Sequence, residues 1–240
     1  MNNEITIKLI DLNRQFYQTF AVQFAATRGR IQPGVRRALE NLPQDGDVLD
    51  VGCGNGELAR ALARRGYRGN YLGLDFSVGL LSAARQGLPE NFCFIQADLS
   101  APDWDRPLQS RKVPFILAFA IFHHLPSRAL RSRLLVNLRT HLTEDGRLIH
   151  SEWQFLNSPR LQARIQPWES AGLGADQVDP GDYLLDWRAG GNGLRYVHHF
   201  SEPELAGLAQ DSGFRVLETF YSDGQNGRLG LYQVWENSDV

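Results

Sequence analysis

The sequence predicts an α/β fold with a mostly parallel sheet and helices on both of its faces. Three observations predict it. Short apolar runs alternate with segments of helical spacing, as βαβ units require. The first of these runs ends in Gly52-Cys53-Gly54-Asn55-Gly56. Acids stand at the ends of three consecutive runs: Asp50, Asp75 and Asp98.

Apolar residues at helical spacing through Ile7, Ile10, Phe16, Phe20 and Phe24 predict an amphipathic N-terminal helix. Pro33-Gly34 breaks the pattern, and residues 35–42 predict a second helix, so residues 1–45 read as a helical cap. A short buried strand follows at 47–51, then helix 57–65, strand 71–75, helix 78–85 and strand 92–97. Strand 115–119 leads into His123-His124-Leu125-Pro126 and helix 128–141. Asp145-Gly146 then turns into strand 147–155. Residues 171–194 are rich in Gly and Asp and read as an insertion or a lid over a substrate site. Helix 202–212, strand 214–221, a turn at 224–227 and strand 229–235 close the chain. That last strand–turn–strand predicts an antiparallel pair at one sheet edge. Residues 1–240 read as one domain.

The composition excludes several classes. A net charge of −2 lacks the strongly basic signature of many nucleic-acid binders. Yet residues 1–171 hold 21 basic and 16 acidic residues, and residues 172–240 hold 4 and 11. The body is therefore basic and the C-terminal part acidic. Only Lys8 and Lys112 among the 25 basic residues are lysines. Cys53 and Cys93 make no disulfide framework and no zinc knuckle, so no metal is expected. The start lacks a basic region followed by an apolar core, and the longest apolar run, 115–122, is too short to span a bilayer. A cytoplasmic protein with no membrane partner is expected.

A glycine-rich turn after the first strand lets a ligand approach the backbone closely. The dinucleotide fingerprint would need glycine at 57, where Glu57 stands. An acid at a helix start also repels a pyrophosphate. The loop therefore suits a cofactor with an amino group and no phosphate, which Asp50 can pair. Asp75, after the second strand, is placed to read ribose hydroxyls. Phe76 can lie on a purine face. Asp98 can accept from an adenine amino group, and the Leu99 N–H can meet a ring nitrogen. Any one of these acids could instead cap a helix. All three together with the glycine loop point to a ligand site.

These residues carry a resemblance. Residues 48–99 look like the cofactor half of class I S-adenosylmethionine-dependent methyltransferases. The resemblance implies a Rossmann-like, seven-stranded sheet of order 3-2-1-4-5-7-6 with the last strand antiparallel. It implies S-adenosyl-L-methionine as cofactor, held by Asp50, Gly52, Cys53, Gly54, Asn55, Gly56, Asp75, Phe76, Asp98 and Leu99. Ala118-Phe119-Ala120-Ile121-Phe122-His123-His124-Leu125-Pro126 resembles the family's fourth-strand motif, which adds Ala118 and Phe119. Pro114 departs from it, at a position where the family commonly has an acid that is not a ligand.

Two flanks resemble one subfamily, the tRNA wobble-uridine methyltransferases that esterify a 5-carboxymethyl group. They are Phe16-Tyr17, Phe20-Ala21 and Phe24-Ala25-Ala26-Thr27-Arg28 on one side, and Asp182-Tyr183-Leu184-Leu185-Asp186-Trp187 with Arg195-Tyr196-Val197-His198-His199-Phe200 on the other. Trp153 also matches. Val197 and Asp186 depart from the subfamily pattern. The resemblance implies tRNA as substrate and a small activating subunit as partner.

A carboxylate is already ionised at neutral pH, so its methylation needs alignment and no general base. Arginine is the natural clamp for a carboxylate, and Arg28 and Arg195 are the candidates. Arg28 could instead hold the carboxylate of the cofactor. His124 and His198 could orient the substrate, or act as base if the acceptor were a hydroxyl or amine. Trp153, Trp187 and Tyr196 could stack on a base. Two other readings stay open: methylation of a small metabolite at a carboxylate or hydroxyl, and a non-catalytic S-adenosylmethionine-binding regulatory module.

Overall fold

The computed structural model describes residues 1–26 and 29–238, without the side chains of Val22, Phe24 and Ala25. The chain runs α1 (Asn3–Ala26), α2 (Pro33–Ala38), β1 (Val48–Val51), α3 (Glu57–Arg64), β2 (Tyr71–Asp75) and α4 (Val78–Ala84). It continues β3 (Phe92–Gln96), β4 (Val113–Phe119), α5 (Arg128–Thr140), β5 (Leu142–Trp153), α6 (Pro159–Gln162) and β6 (Ile165–Gln166). It closes β7 (Asp182–Trp187), β8 (Gly193–His198), α7 (Glu202–Asp211), β9 (Phe214–Ser222) and β10 (Gly230–Asn237).

Seven strands form one sheet in the order β3-β2-β1-β4-β5-β10-β9. Neighbours from β3 through β5 are parallel. β10 is antiparallel to both β5 and β9. This is the expected 3-2-1-4-5-7-6 sheet. Alternate residues of the central strands serve its two faces. Leu49, Val51, Ile116 and Ala118 join Leu134, Leu138, Leu205 and Leu208 of α5 and α7. Val48, Tyr71 and Leu117 join Leu58, Leu62 and Leu81 of α3 and α4.

Several boundaries differ from the sequence reading by a few residues, and three differences stand out. α2 starts at Pro33 itself, because a proline in the first helical turn sacrifices no hydrogen bond. β5 already begins at Leu142 and runs through Asp145-Gly146. The third difference is larger. A third of the segment 171–194 is strand: β7 pairs with β6 and β8 in a three-stranded antiparallel sheet. Leu184, Leu185, Tyr196 and Val197 are fully buried there. Tyr196 packs with Ile5 and Leu9 of α1, while the next residue, Val197, packs with Phe155. A strand covered on both sides keeps no polar–apolar alternation, which is why the pattern was silent.

Among the described residues no helix is long and apolar enough to cross a membrane. Nor, among them, could any group of three or more His, Cys, Asp and Glu residues hold a metal ion.

Candidate active site

A cavity of about 280 Å³ opens at the carboxyl ends of β1 to β4, where open α/β sheets place their ligands. It gathers Asp50, Gly52, Cys53, Gly54, Asn55, Asp75, Phe76, Asp98, Leu99 and Phe119. Gly56 stands just behind it as the residue before α3, with φ +76°. A Cβ at Gly56 would lie 2.8 Å from Ala84 Cβ and 2.9 Å from its Cα. The glycine loop is thus packed against α4 with no room to spare. Gly56→Ala is expected to lower stability by about 2–4 kcal/mol, combining left-handed strain with overpacking, measurable by urea unfolding.

Gly54 is different. A Cβ there would meet no atom within 4 Å, so its backbone opens onto the cavity. Its N–H donates to Asp75 Oδ2 at 2.9 Å, and the Ser77 N–H donates to Asp75 Oδ1 at 2.8 Å. Burial pushes the Asp75 carboxyl up despite these two bonds. Asp50 is more extreme. Burial raises it to about 7, although the Tyr71 hydroxyl donates to it, and the nearby Asp75 adds to the rise. Such a carboxyl is a receptor for a cation. The loop offers no basic side chain, and Glu57 occupies the first turn of α3. This donor set fits S-adenosylmethionine, which carries an ammonium and a sulfonium and no phosphate.

Asp98 has two partners that sequence reasoning did not foresee. Its Oδ1 accepts from the Ser100 N–H and hydroxyl at 2.9 and 2.6 Å, and its Oδ2 from Arg14 Nη2 at 2.7 Å. Burial alone would push it up; the Ser100 bonds and the Arg14 guanidinium outweigh that and hold it below its ordinary value. Arg14 belongs to α1, whose Ile10, Asn13, Arg14 and Tyr17 form one wall of the cavity. These positions share one helix face. Only the helical spacing of α1 was legible, not what its polar residues reach. Arg14→Ala is expected to weaken S-adenosylhomocysteine binding about 2- to 5-fold, the worth of a half-exposed ion pair, measured by calorimetry.

Beyond β4 the cavity is closed by Phe119, Ala120, Ile121, His124 and Leu125. Ala120 has φ +60°, a strained value for a residue with a Cβ. It is held there by its N–H, which donates to the Ser151 carbonyl at 2.9 Å. The reversal turns His124 toward the cavity, where its Nε2 lies 2.8 Å from the Tyr17 hydroxyl. Ala118, expected at the cofactor, faces the opposite side and is buried in the core. Strand alternation explains the difference.

The other expected substrate residues lie away from this cavity. His198 is fully buried, with Nδ1 2.7 Å from Asp182 Oδ1 and Nε2 2.8 Å from Glu204 Oε1. Both ring nitrogens are engaged, so the histidine is a structural hub and not a substrate ligand. Tyr196, also fully buried, donates its hydroxyl to Asp182 Oδ1 at 2.6 Å and has no face to offer a base. The buried Arg195 guanidinium lies 4.7 Å from the Trp153 ring, 5.5 Å from Phe16 and 5.7 Å from Trp187. Trp187 is buried by Phe16 and Phe20. None of these residues lines the cavity. Arg28 lies outside the described residues. Of the paired histidines, His123 is buried with its Nδ1 2.9 Å from Glu152 Oε2, and His199 packs on Phe155.

The methyltransferase-domain family model matches residues 24–219. A protein of Encephalitozoon cuniculi named as a methyltransferase is 31% identical over 209 residues, covering 85% of this chain and 87% of that one. A trans-aconitate 2-methyltransferase of Azoarcus is 32% identical over 164 residues, 66% of this chain and 60% of that enzyme. The tRNA (carboxymethyluridine(34)-5-O)-methyltransferase of Schizosaccharomyces pombe is 25% identical over 224 residues, 86% of this chain and 90% of that enzyme. Among solved structures, a SAM-dependent methyltransferase of Methanosarcina mazei superposes with a TM-score of 0.65 at 21% identity, covering 88% of this chain and 99% of that one. A Haloferax volcanii chain from a complex with the Trm112 methyltransferase activator gives 0.66 at 16% identity, covering 97% and 98%.

Proposed function

We propose, for a chain that belongs to the methyltransferase-domain family and uses S-adenosylmethionine, that the methyl acceptor is a carboxylate. The same proposal names the acceptor as the 5-carboxymethyl group of a wobble uridine in tRNA. The observation that carries it is the charge of the wall beyond β4. Phe119, Ala120, Ile121, His124, Leu125 and the facing Tyr17 include no acid. All the lining acids, Asp50, Glu57, Asp75 and Asp98, stand on the glycine-loop side or at the ends of β2 and β3. Glu152, behind His123, is fully buried, with its carboxyl pushed up by burial and its Oε2 taken by the His123 N–H and 2.9 Å from His123 Nδ1, and it does not line the cavity. A negative acceptor meets no repulsion on this wall, and Arg14 and Arg30 line the same cavity.

When bound, the cofactor supplies an electrophilic methyl group on a sulfonium. Asp50 would hold its ammonium end, Asp75 the ribose and Asp98 the adenine. The protein has no proton to remove from an ionised acceptor. Its residues have only to align the acceptor oxygen and keep water out. The apolar Phe119, Ile121 and Leu125 serve the second need.

Two relatives support a carboxylate. One is named for carboxymethyluridine in tRNA and the other for trans-aconitate, a tricarboxylate. The tRNA reading is favoured because its relative aligns over nearly the whole of both chains, and because the first 171 residues are basic. The small activating subunit belongs to the same proposal, supported by the Haloferax neighbour's complex.

The test supplies labelled S-adenosylmethionine with tRNA bearing 5-carboxymethyluridine, with and without a Trm112-type subunit, and separately with trans-aconitate. Alkali-labile label in the tRNA is the expected result. Label only in trans-aconitate would move the acceptor to a small acid. Label in neither would end the carboxylate reading.

A further inference from the structure

Tyr17 has no role in the function proposed so far, yet α1 delivers it to the acceptor end of the cavity. Its hydroxyl meets His124 Nε2 at 2.8 Å. Both rings are fixed. Tyr17 is wedged edge-on between Phe16 and Phe76, with ring centroids 5.0 and 6.1 Å away. The backbone of His124 is tied at both polar groups: its N–H donates to the Ile121 carbonyl at 2.9 Å, and its carbonyl accepts from Asn13 Nδ2 at 2.9 Å. Asn13 is itself anchored to β8, accepting from the Tyr196 N–H at 2.8 Å and donating to the Tyr196 carbonyl at 3.1 Å. The helix that carries Tyr17 and the loop that carries His124 are thus locked to each other beside their own contact.

From this geometry we infer that Tyr17 and His124 form an uncharged hydrogen-bonding pair that selects an acceptor already ionised, and that Tyr17 is a specificity-determining residue. The inference rests on the carboxylate reading above. One proton lies between the phenol oxygen and Nε2. If the oxygen bears it, the Nε2 lone pair is occupied and cannot take a proton from a neutral hydroxyl acceptor. If Nε2 bears it, His124 has no lone pair there to offer. In neither case does the pair expose a base on that side, and in the second the Tyr17 O–H is left to donate to the acceptor. A carboxylate needs a donor to orient it and nothing more, whereas a neutral hydroxyl or amine needs its proton removed. The pair therefore admits the first class of acceptor and fails the second.

Tyr17→Phe keeps the ring and removes the hydroxyl. Three readouts test the inference. Binding of S-adenosylhomocysteine should stay within about 3-fold, which reports that the fold and the cofactor cradle survive. KM for the carboxylate acceptor should rise about 10-fold, the most that one neutral hydrogen bond supplies, with kcat independent of pH between about 6 and 9 in both proteins. The ¹⁵N signals of the His124 ring should report one fixed tautomer in the wild type and a mixture in the variant. A pH profile that shifts on removing the hydroxyl would make the pair a proton relay and overturn the inference. An unchanged KM together with an unchanged tautomer would reduce Tyr17 to packing. Should the wild type methylate no carboxylate at all, the proposed function falls on that result, and the tautomer still decides whether Tyr17 holds His124.

Discussion

Asp50→Asn is expected to weaken S-adenosylhomocysteine binding roughly 30- to 1,000-fold at pH 7.5, and to flatten its pH dependence. The first effect follows from removing one partner of a buried charge pair, about 2–4 kcal/mol. The second follows from the carboxyl itself. Burial raises it to about 7 in the cofactor-free protein. Below that pH an ammonium must expel a proton before it can pair. Wild-type affinity should therefore fall as pH drops through 7, by roughly 20- to 30-fold between pH 7.5 and 5.5. The variant has no proton to lose there and should lack that slope. The sign for stability runs the other way. A carboxyl whose folded value is raised destabilises the fold progressively from about pH 4 up to about 7, and constantly above. Cofactor-free Asp50→Asn should thus melt no lower than the wild type at pH 8, while losing the cofactor's stabilisation. Isothermal calorimetry across pH, with melting curves alongside, reads both. Unchanged affinity, or a slope that survives in the variant, would remove Asp50 from the site.

Legibility in the sequence followed burial pattern and spacing. β1 to β4, the glycine loop and the acids Asp50, Asp75 and Asp98 were readable because each rests on a local signal: an apolar run, a turn glycine, a charged residue directly after a strand. These residues also share one cavity because parallel strands bring their carboxyl ends together. Two things were not readable. The β6-β7-β8 sheet is sandwiched between α1 and Phe155, so its apolar residues Leu184-Leu185 and Tyr196-Val197 come in adjacent pairs and its polar Asp182, Arg195 and His198 are buried too, which leaves no regular in–out alternation. The partners of polar residues on α1 were equally hidden. Arg14 pairs with Asp98 across 84 residues, Tyr17 with His124 across 107, and Asn13 with Tyr196 across 183. No local pattern encodes such a contact. The same blindness explains why Arg195, Tyr196 and His198 looked like substrate residues. The sequence displays their chemistry, while only the fold displays that carboxylates and aromatic rings already satisfy it.

His198→Ala is expected to lower stability by about 3–5 kcal/mol, the effect of breaking a buried ionic cluster from one side. His198 bridges Asp182 of β7 and Glu204 of α7. Arg131 of α5 joins through Glu204 at 3.8 Å, and also donates to the Leu125 carbonyl at 3.0 Å. One histidine ring thereby ties the small sheet to both helices behind the large one. Burial alone would lower its pKa, but the Asp182 and Glu204 carboxylates outweigh that and raise it. A histidine raised above its unfolded value of about 6.5 stabilises the fold fully below that pH. The contribution is lost as pH climbs through the raised value. The stability gap between wild type and variant should therefore be widest near pH 6 and narrow towards pH 9, read by urea unfolding at each pH. A gap that widens with pH would mean the ring is neutral in the fold. The consequence reaches the cavity by a short route. Tyr196, bonded to the same Asp182, is the residue to which Asn13 fastens α1. α1 supplies the wall that carries Arg14 and Tyr17. Loss of His198 should therefore weaken cofactor binding without any contact to the cofactor. His198→Gln, which can keep one of the two bonds, should recover part of both properties together. Recovery of stability without recovery of binding would show that the cluster does not support the α1 wall.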